Sequence, residues 1–236
     1  MKTDGAAFAP PHLPESEHPV INGLCDYAAK HSVDILIGSV AVSGSGPKFT
    51  NRSFYVDRSG EILSRYDKIF LFDVDLSDTE KYRESDRVEP GNKAIVTTTR
   101  FGRIGHSICY DLRFAQLYRD LAQAGAEILV CPAAFAVPTG KAHWHTLNRA
   151  RAIENGAFMI SPCAHGLVSG GGASYGHSLI VNPWGEILSD GGDSPGVTVT
   201  IIDLDLVAST RKRISSLQHD RPYTIQVGEL INRAVE

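Results

Sequence analysis

Cys109 is the residue whose position points most directly to covalent chemistry. It closes the apolar run Arg103-Ile104-Gly105-His106-Ser107-Ile108 and opens Cys109-Tyr110-Asp111-Leu112-Arg113-Phe114. The run reads as a buried strand, and Phe114, Leu117, Leu121 and Ala124 then recur at helical spacing. The thiol is therefore expected where a strand turns into a helix, facing N–H groups and the positive dipole end, a setting that favours the nucleophilic thiolate. An unperturbed thiol has a pKa of about 8.5 and is only slightly ionised near neutral pH, so a nearby cation or base would raise the reactive fraction. The competing reading is an inert buried thiol, since free cysteine is among the most buried residue types.

Lys68 supplies a candidate cation. It follows a strand within Tyr66-Asp67-Lys68-Ile69-Phe70-Leu71-Phe72, where apolar neighbours would draw it out of water. Such an ammonium either stabilises a thiolate or a developing oxyanion, or is a surface group whose stem covers apolar side chains. Glu80, Glu84 and Glu89 lie between Lys68 and Cys109 and offer a base, an orienting carboxylate, or plain solvated charge. The histidines give no metal pattern: His143 and His145 are two apart on an expected helix and do not share a face, and no HExxH string occurs. A Cys/His pair formed only in space stays open. Gly170-Gly171-Gly172 lacks a P-loop lysine, Ser178 is not in a GxSxG elbow, and no metal or cofactor is expected.

The elements that must position these groups follow from periodicity and turn residues. Residues 17–31 read as an amphipathic helix and 33–42 as a strand. Three hairpins are expected: 52–56 with 61–66 around Asp57-Arg58-Ser59-Gly60, 94–99 with 103–108 around Arg100-Phe101-Gly102, and 177–181 with 186–189 around Asn182-Pro183-Trp184-Gly185. Residues 73–91 form a long polar segment without clear period, of the kind that covers active sites. Helices are expected over 113–124, 142–155 and 204–213, and further strands over 127–131, 157–161 and 197–202. Hairpins mixed with β–α–β units predict a mixed α/β fold with helix-covered sheets.

With 236 residues, 42% of them hydrophobic, the chain is long enough for one large domain over 1–236, with an irregular arm at 1–16 and a tail from about 214 to 236. A net charge of −4 without a Lys/Arg run gives no footprint for nucleic acid. No apolar stretch approaches about 18 residues, so no membrane span is expected, and the N-terminus lacks the apolar region of a signal peptide. The four cysteines, Cys25, Cys109, Cys131 and Cys163, lie far apart and fit neither a metal pattern nor a disulfide framework, which points to a reducing cytoplasm.

In order along the chain, these segments resemble the nitrilase superfamily, the carbon–nitrogen hydrolases. The matching pieces are Ile37-Gly38-Ser39, Tyr66 to Asp73, Tyr82-Arg83-Glu84-Ser85 leading to Pro90-Gly91, Gly105 to Phe114, Pro132-Ala133-Ala134-Phe135, Thr139 to Trp144, Arg149 to Glu154, and Gly176-His177-Ser178 with Asn182-Pro183-Trp184-Gly185. The resemblance implies a four-layer α-β-β-α sandwich, a homodimer or higher homo-oligomer, and a Glu-Lys-Cys triad. Lys68 matches the family lysine, Cys109 the nucleophile, and Glu84 a second glutamate that positions the lysine. Tyr110 would supply an oxyanion-binding N–H, with Ala134 and Phe135 beside the substrate. The strings around Cys109 and His143 are similar to Nit-type amidases, which act on omega-amides of small dicarboxylic acids or on deaminated glutathione. Tyr110 in place of the tryptophan usual in nitrilases implies an amide rather than a nitrile.

The resemblance also sets an expectation about the start of the fold. The family's general-base glutamate ends a strand that precedes the helix matched by residues 17–31, so the N-terminal part of the sandwich is expected to be incomplete. Glu15 follows Pro14 as the family glutamate follows a proline, but no apolar strand precedes it. The leading expectation is an amidase working through a Cys109 thioester; the alternatives are an acyl transferase, a Cys/His hydrolase on another fold, or a catalytically impaired fragment or homologue acting as a binding or scaffold protein.

Overall fold

Pro19 opens the first helix and Ser32 ends it. In α1 (Pro19–His31) the proline stands where a missing N–H costs nothing, and Ser32 terminates the helix in the left-handed region at φ 54°. The inner face of α1, Ile21 and Ala28, packs on Ile37, Val42, Phe54 and Val56. Those residues belong to an antiparallel sheet of β1 (Ile35–Ser43), β2 (Phe49–Val56) and β3 (Ile62–Asp67) in that order. The β2–β3 turn is held as its sequence predicts: the Asp57 carboxylate accepts N–H bonds from Ser59 (2.8 Å) and Glu61 (3.0 Å). The computed structural model of the protein describes residues 10–44, 46–77, 80–168 and 172–228. The first part of the expected arm, two of the glycines Gly170–Gly172 and the end of the tail lie outside the described residues.

Beyond β3 the chain forms a hairpin of β4 (Asp73–Ser77) and β5 (Glu80–Arg83), then β6 (Val96–Thr99), β7 (Gly102–His106), α2 (Ala115–Gln123) and β8 (Ile128–Val130). Next come α3 (Val137–Thr139), a π-helical turn Gly140–Trp144, α4 (His145–Asn155), β9 (Phe158–Ser161) and a hairpin of β10 (His165–Leu167) and β11 (Ala173–Tyr175). The described chain then adds β12 (Leu179–Val181), β13 (Ile187–Asp190) and α5 (Asp205–Arg213). The second large sheet has the order β13-β12-β9-β8-β7-β6, parallel through β7, β8 and β9 and antiparallel at both margins. Leu117 and Leu121 of α2 and Ala152 of α4 pack with Leu129, Met159 and Val181 on its outer face. Tyr55 from the first sheet meets Ile104, Ile128, Val130 and Phe158 from the second, with Val207 of α5. Helix, sheet, sheet, helix is the four-layer α/β sandwich that the resemblance implies.

Three expectations are corrected. Residues 73–91 carry the β4–β5 hairpin and a 3-10 turn Glu84–Asp86 instead of an irregular loop. Polar contacts hold this piece: Arg83 grips Asp75 at 2.8 and 3.0 Å, and Asp73 accepts the Ser85 N–H at 3.0 Å; the alternation at Val74 and Leu76 is too short to mark a hairpin. The strand expected over 197–202 forms no ladder among the described residues, with Val197, Val199 and Ile201 exposed. The helix expected from 142 begins earlier, at Val137, and widens into the π turn before α4.

A polar knot joins the two sheets. His106 Nε2 meets Thr97 Oγ1 at 2.8 Å and Ser64 Oγ of β3 at 3.3 Å, with the imidazole fully buried. Burial alone lowers its pKa from 6.5 to about 4. The folded state therefore refuses a proton that the unfolded chain accepts below pH 6.5. The stabilising contribution is complete above that value and is lost as pH falls toward 4, a difference of about 3 kcal/mol. Denaturant unfolding at pH 7 and pH 4 should show this slope, and His106→Gln should flatten it; an unchanged slope in the variant would assign the acid sensitivity elsewhere.

Candidate active site

The Cys109 turn is held by its neighbours. Cys109 N–H donates to Pro132 O at 2.9 Å, at the end of parallel strands β7 and β8, and Cys109 itself sits at φ 50°. A non-glycine residue in this left-handed region costs of order 1–3 kcal/mol and persists only where its surroundings impose it. Here they do: the fully buried Asp111 accepts the Ile108 N–H at 2.8 Å, the Phe70 N–H at 3.0 Å and the Tyr66 O–H at 2.7 Å. One carboxylate thus ties the turn bearing Cys109 to the segment bearing Lys68, gripping the latter two residues before and two residues after the lysine.

Lys68 leaves the end of β3 with its backbone N–H on Asn51 O (3.0 Å), and its carbonyl accepts the Gly91 N–H at 2.8 Å. Gly91 is required by this approach, since a Cβ there would lie 2.2 Å from Asp67 O. The Lys68 side chain is 3% exposed and its Nζ donates to Glu84 Oε2 at 2.6 Å. The same oxygen accepts the Phe72 N–H at 2.6 Å, and Asn51 Nδ2 reaches Oε1 at 3.4 Å. Glu84 is thereby a fixed counter-charge at the start of its 3-10 turn. Burial pushes the Lys68 pKa down, but the Cys109 sulfur, Glu84 and Asp111 together outweigh it and hold the ammonium above the ordinary lysine value.

The expected helix-end thiolate is corrected. Cys109 begins a short 3-10 turn, Cys109–Arg113, and α2 starts only at Ala115. Burial raises the thiol pKa; the Lys68 charge lowers it, Glu84 and Asp111 raise it again, and the net direction is up. The resting sulfur is a thiol that needs a proton acceptor. Glu15 is not that group here, because its carboxylate bridges Arg52 (3.1 Å) and Arg65 (2.7 Å). Those guanidinium groups hold Glu15 below the usual carboxylate range despite its partial burial. Glu89 is exposed, and the Glu80 side chain lies outside the described residues.

Aromatic rings wall the site. Phe70 stacks on Phe114 at 3.6 Å, and Tyr110 stands edge-on to Phe72 at 5.1 Å and Phe114 at 5.5 Å. Ala134 turns its carbonyl toward Cys109 Sγ at 3.9 Å, an acceptor rather than an oxyanion donor. Phe135 is buried against Trp144, 5.0 Å between centroids. The guanidinium of Arg113 lies over the Tyr110 ring at 5.8 Å and the Phe135 ring at 5.4 Å, with His143 Nδ1 at 3.3 Å from its Nη1. No carboxylate of the described residues pairs with Arg113, and sequence reasoning did not single it out. Its only signal was a cation four residues after the nucleophile.

This arrangement has counterparts. The family model described as carbon-nitrogen hydrolase matches residues 5–212. The chain is 41% identical to a deaminated glutathione amidase of Synechocystis over 196 residues, covering 81% of this chain and 72% of that protein. It is 33% identical to the human omega-amidase NIT2 over 217 residues, covering 92% and 78%. Among solved structures, the C. elegans NitFhit protein superposes with a TM-score of 0.81 at 32% identity, over 85% of this chain and 50% of that one. A match through both sheets and through the segments bearing Lys68, Glu84 and Cys109 leaves one assignment: the chain belongs to the carbon-nitrogen hydrolase family, as an α/β hydrolytic enzyme.

Proposed function

We propose that this enzyme hydrolyses the C–N bond of a small linear amide bearing a carboxylate, through a thioester on Cys109. The observation that carries the reading is a buried ammonium, Lys68, fixed by Glu84 and in electrostatic reach of a strained cysteine. A carboxylate takes the Cys109 proton, and the sulfur attacks the amide carbon. Lys68 and the Tyr110 N–H stabilise the oxyanion, while the amide NH₂ faces the Ala134 carbonyl. The C–N bond breaks, the nitrogen leaves as ammonia with the transferred proton, and water then cleaves the thioester to the acid and a free thiol. The resemblance gives the proton transfer to a glutamate preceding α1, with Glu84 positioning Lys68. The relatives named as amidases of deaminated glutathione and omega-amides support an anionic substrate, and so does Arg113 above the aromatic wall, which no carboxylate of the described residues neutralises. The reading includes a homodimer or higher homo-oligomer in a reducing cytoplasm. The free state of all four cysteines agrees with that compartment. No helix of the described residues is long and apolar enough to cross a membrane.

The test compares succinamate with the uncharged butyramide. Intact mass spectrometry should trap an acyl adduct on Cys109 and find none in Cys109→Ala. Arg113→Gln should raise KM for succinamate about 10- to 100-fold, the worth of a charge-assisted bond, with butyramide little changed. No adduct with either amide would favour a binding protein, and equal losses on both amides would remove Arg113 from carboxylate recognition.

A further inference from the structure

A second cluster of chemically capable side chains lies at the start of α4. His145 opens that helix, His177 precedes β12, and Asp190 ends β13. The Asp190 carboxylate meets His145 Nε2 at 2.9 Å and His177 Nδ1 at 2.9 and 3.1 Å. The three ligand atoms all lie within 4.8 Å of one another. We propose that His145, His177 and Asp190 bind one divalent transition-metal ion of the zinc class, clamping the start of α4 to the β12–β13 hairpin. The proposal is independent of the amidase reading.

The donor set selects the ion. Two imidazoles with one carboxylate suit zinc, cobalt or nickel, whereas calcium and magnesium require oxygen ligands. Four-coordinate zinc holds nitrogen and oxygen at about 2.0–2.2 Å, which sets ligand atoms about 3.3 Å apart. The two imidazole–carboxylate contacts need to open by only a few tenths of an ångström, and the two imidazole nitrogens, within 4.8 Å of each other, settle at the same spacing around the ion. Without an ion the facing nitrogens, His145 Nε2 and His177 Nδ1, donate to the Asp190 carboxylate; binding turns their lone pairs toward the ion, so each ring then carries its proton on the far nitrogen, His145 on Nδ1 and His177 on Nε2.

The ligands are placed before any ion arrives. His177 is held at φ 55°, its carbonyl accepts the Trp144 indole N–H at 2.7 Å, and its ring stacks on Tyr175 at 4.5 Å. Asp190 also accepts the Gly192 N–H at 2.9 Å. The two imidazoles and Asp190 remain 31, 25 and 32% exposed, so a hydrated ion has access and keeps an open position for water. That side faces a cleft of about 550 Å³ lined by His165, Gly191 and Gly192 among others. The absence of a shared face between His143 and His145 is no obstacle, because the partners of His145 come from other elements.

Zinc alone is titrated calorimetrically into the metal-stripped full chain carrying Cys109→Ala, so that the active-site thiol cannot act as a ligand. Cobalt absorption is read in parallel. One equivalent should bind, with the d–d bands of a four-coordinate ion without sulfur ligation, and zinc should raise Tm by linkage. His145→Gln and Asp190→Asn should each weaken binding at least about tenfold, and His143→Gln should leave it unchanged. His145→Gln keeps the test decisive if Asp190→Asn does not fold. No stoichiometric binding, binding that survives His145→Gln, or a cobalt spectrum of thiolate ligation would overturn the site and leave a hydrogen-bonded His–Asp–His cluster.

Discussion

Lys68→Met should lower kcat/KM for succinamate by about 10³-fold, since one oxyanion donor is worth about 2.7–4 kcal/mol and this ammonium also lowers the Cys109 pKa. Methionine matches the lysine stem as far as its ε carbon and stays buried in the same place, so the loss reports the missing ammonium rather than packing. The variant also strips Glu84 of its counter-ion. Breaking a buried pair costs about 3–5 kcal/mol, but Glu84 is 19% exposed and keeps its Phe72 and Asn51 donors, so water and those bonds reduce the cost to about 2 kcal/mol. Lys68→Met with Glu84→Gln removes both charges and should restore most of that stability without restoring turnover. The pH dependence of Cys109 alkylation by iodoacetamide separates the two roles. In both variants its midpoint should move upward relative to the parent, because the lowering charge is gone and burial still raises the thiol. A parental alkylation profile with near-parental turnover in Lys68→Met would make the lysine a structural ion pair only.

What could be read in the sequence was local. The strand–Cys109–helix pattern, the apolar setting of Lys68 and the turn at Asp57 are each written within a few residues, and the structure places Lys68 at 2.6 Å from Glu84 across a separation of 16. What could not be read depends on long-range partners. The Asp111 carboxylate meets groups 45 and 41 residues upstream, at Tyr66 and Phe70. The β4–β5 hairpin is carried by charged pairs, which hydrophobic periodicity ignores. The sign of the Cys109 shift failed because the strand-to-helix junction opens with a 3-10 turn, and because burial, invisible in a one-dimensional pattern, outweighs the nearby cation. His145, His177 and Asp190 converge from α4, the turn before β12 and the end of β13, so no spacing rule could join them. The strand signal at 197–202 shows the converse: alternation of Val197, Val199 and Ile201 specifies extended backbone but not a ladder partner.

Asp111→Asn is the second large effect, and it follows from counting donors. Asp111 Oδ1 accepts from Phe70 N–H, while Oδ2 accepts from both Ile108 N–H and Tyr66 O–H. Burial lifts this carboxyl above its ordinary pKa even against those donors and Lys68, so the charge is costly to keep. Asparagine would remove that cost, yet its NH₂ must occupy one oxygen position. If the amide oxygen stays on Phe70, the NH₂ faces Ile108 N–H, and only the Tyr66 hydroxyl can turn to accept. The Ile108 N–H, one residue before the nucleophile, is then buried without a partner, at about 1–3 kcal/mol. With the opposite flip the Phe70 N–H is orphaned and the Lys68 segment loosens instead. Either way one side of the Lys68–Cys109 geometry is released, and a displacement near 1 Å costs about 10²-fold in rate. Asp111→Asn should therefore lower kcat about 10²-fold with KM nearly unchanged. Tyr66→Phe, which removes a donor but orphans no backbone group, should cost no more than about tenfold. The discriminating measurement is the acylation rate in a single turnover, followed as ammonia release at temperatures well below each variant's Tm. If Asp111→Asn and Tyr66→Phe slow acylation equally, or if both lose only stability, then Asp111 is a buried structural carboxylate and the strained φ of Cys109 is imposed by packing alone.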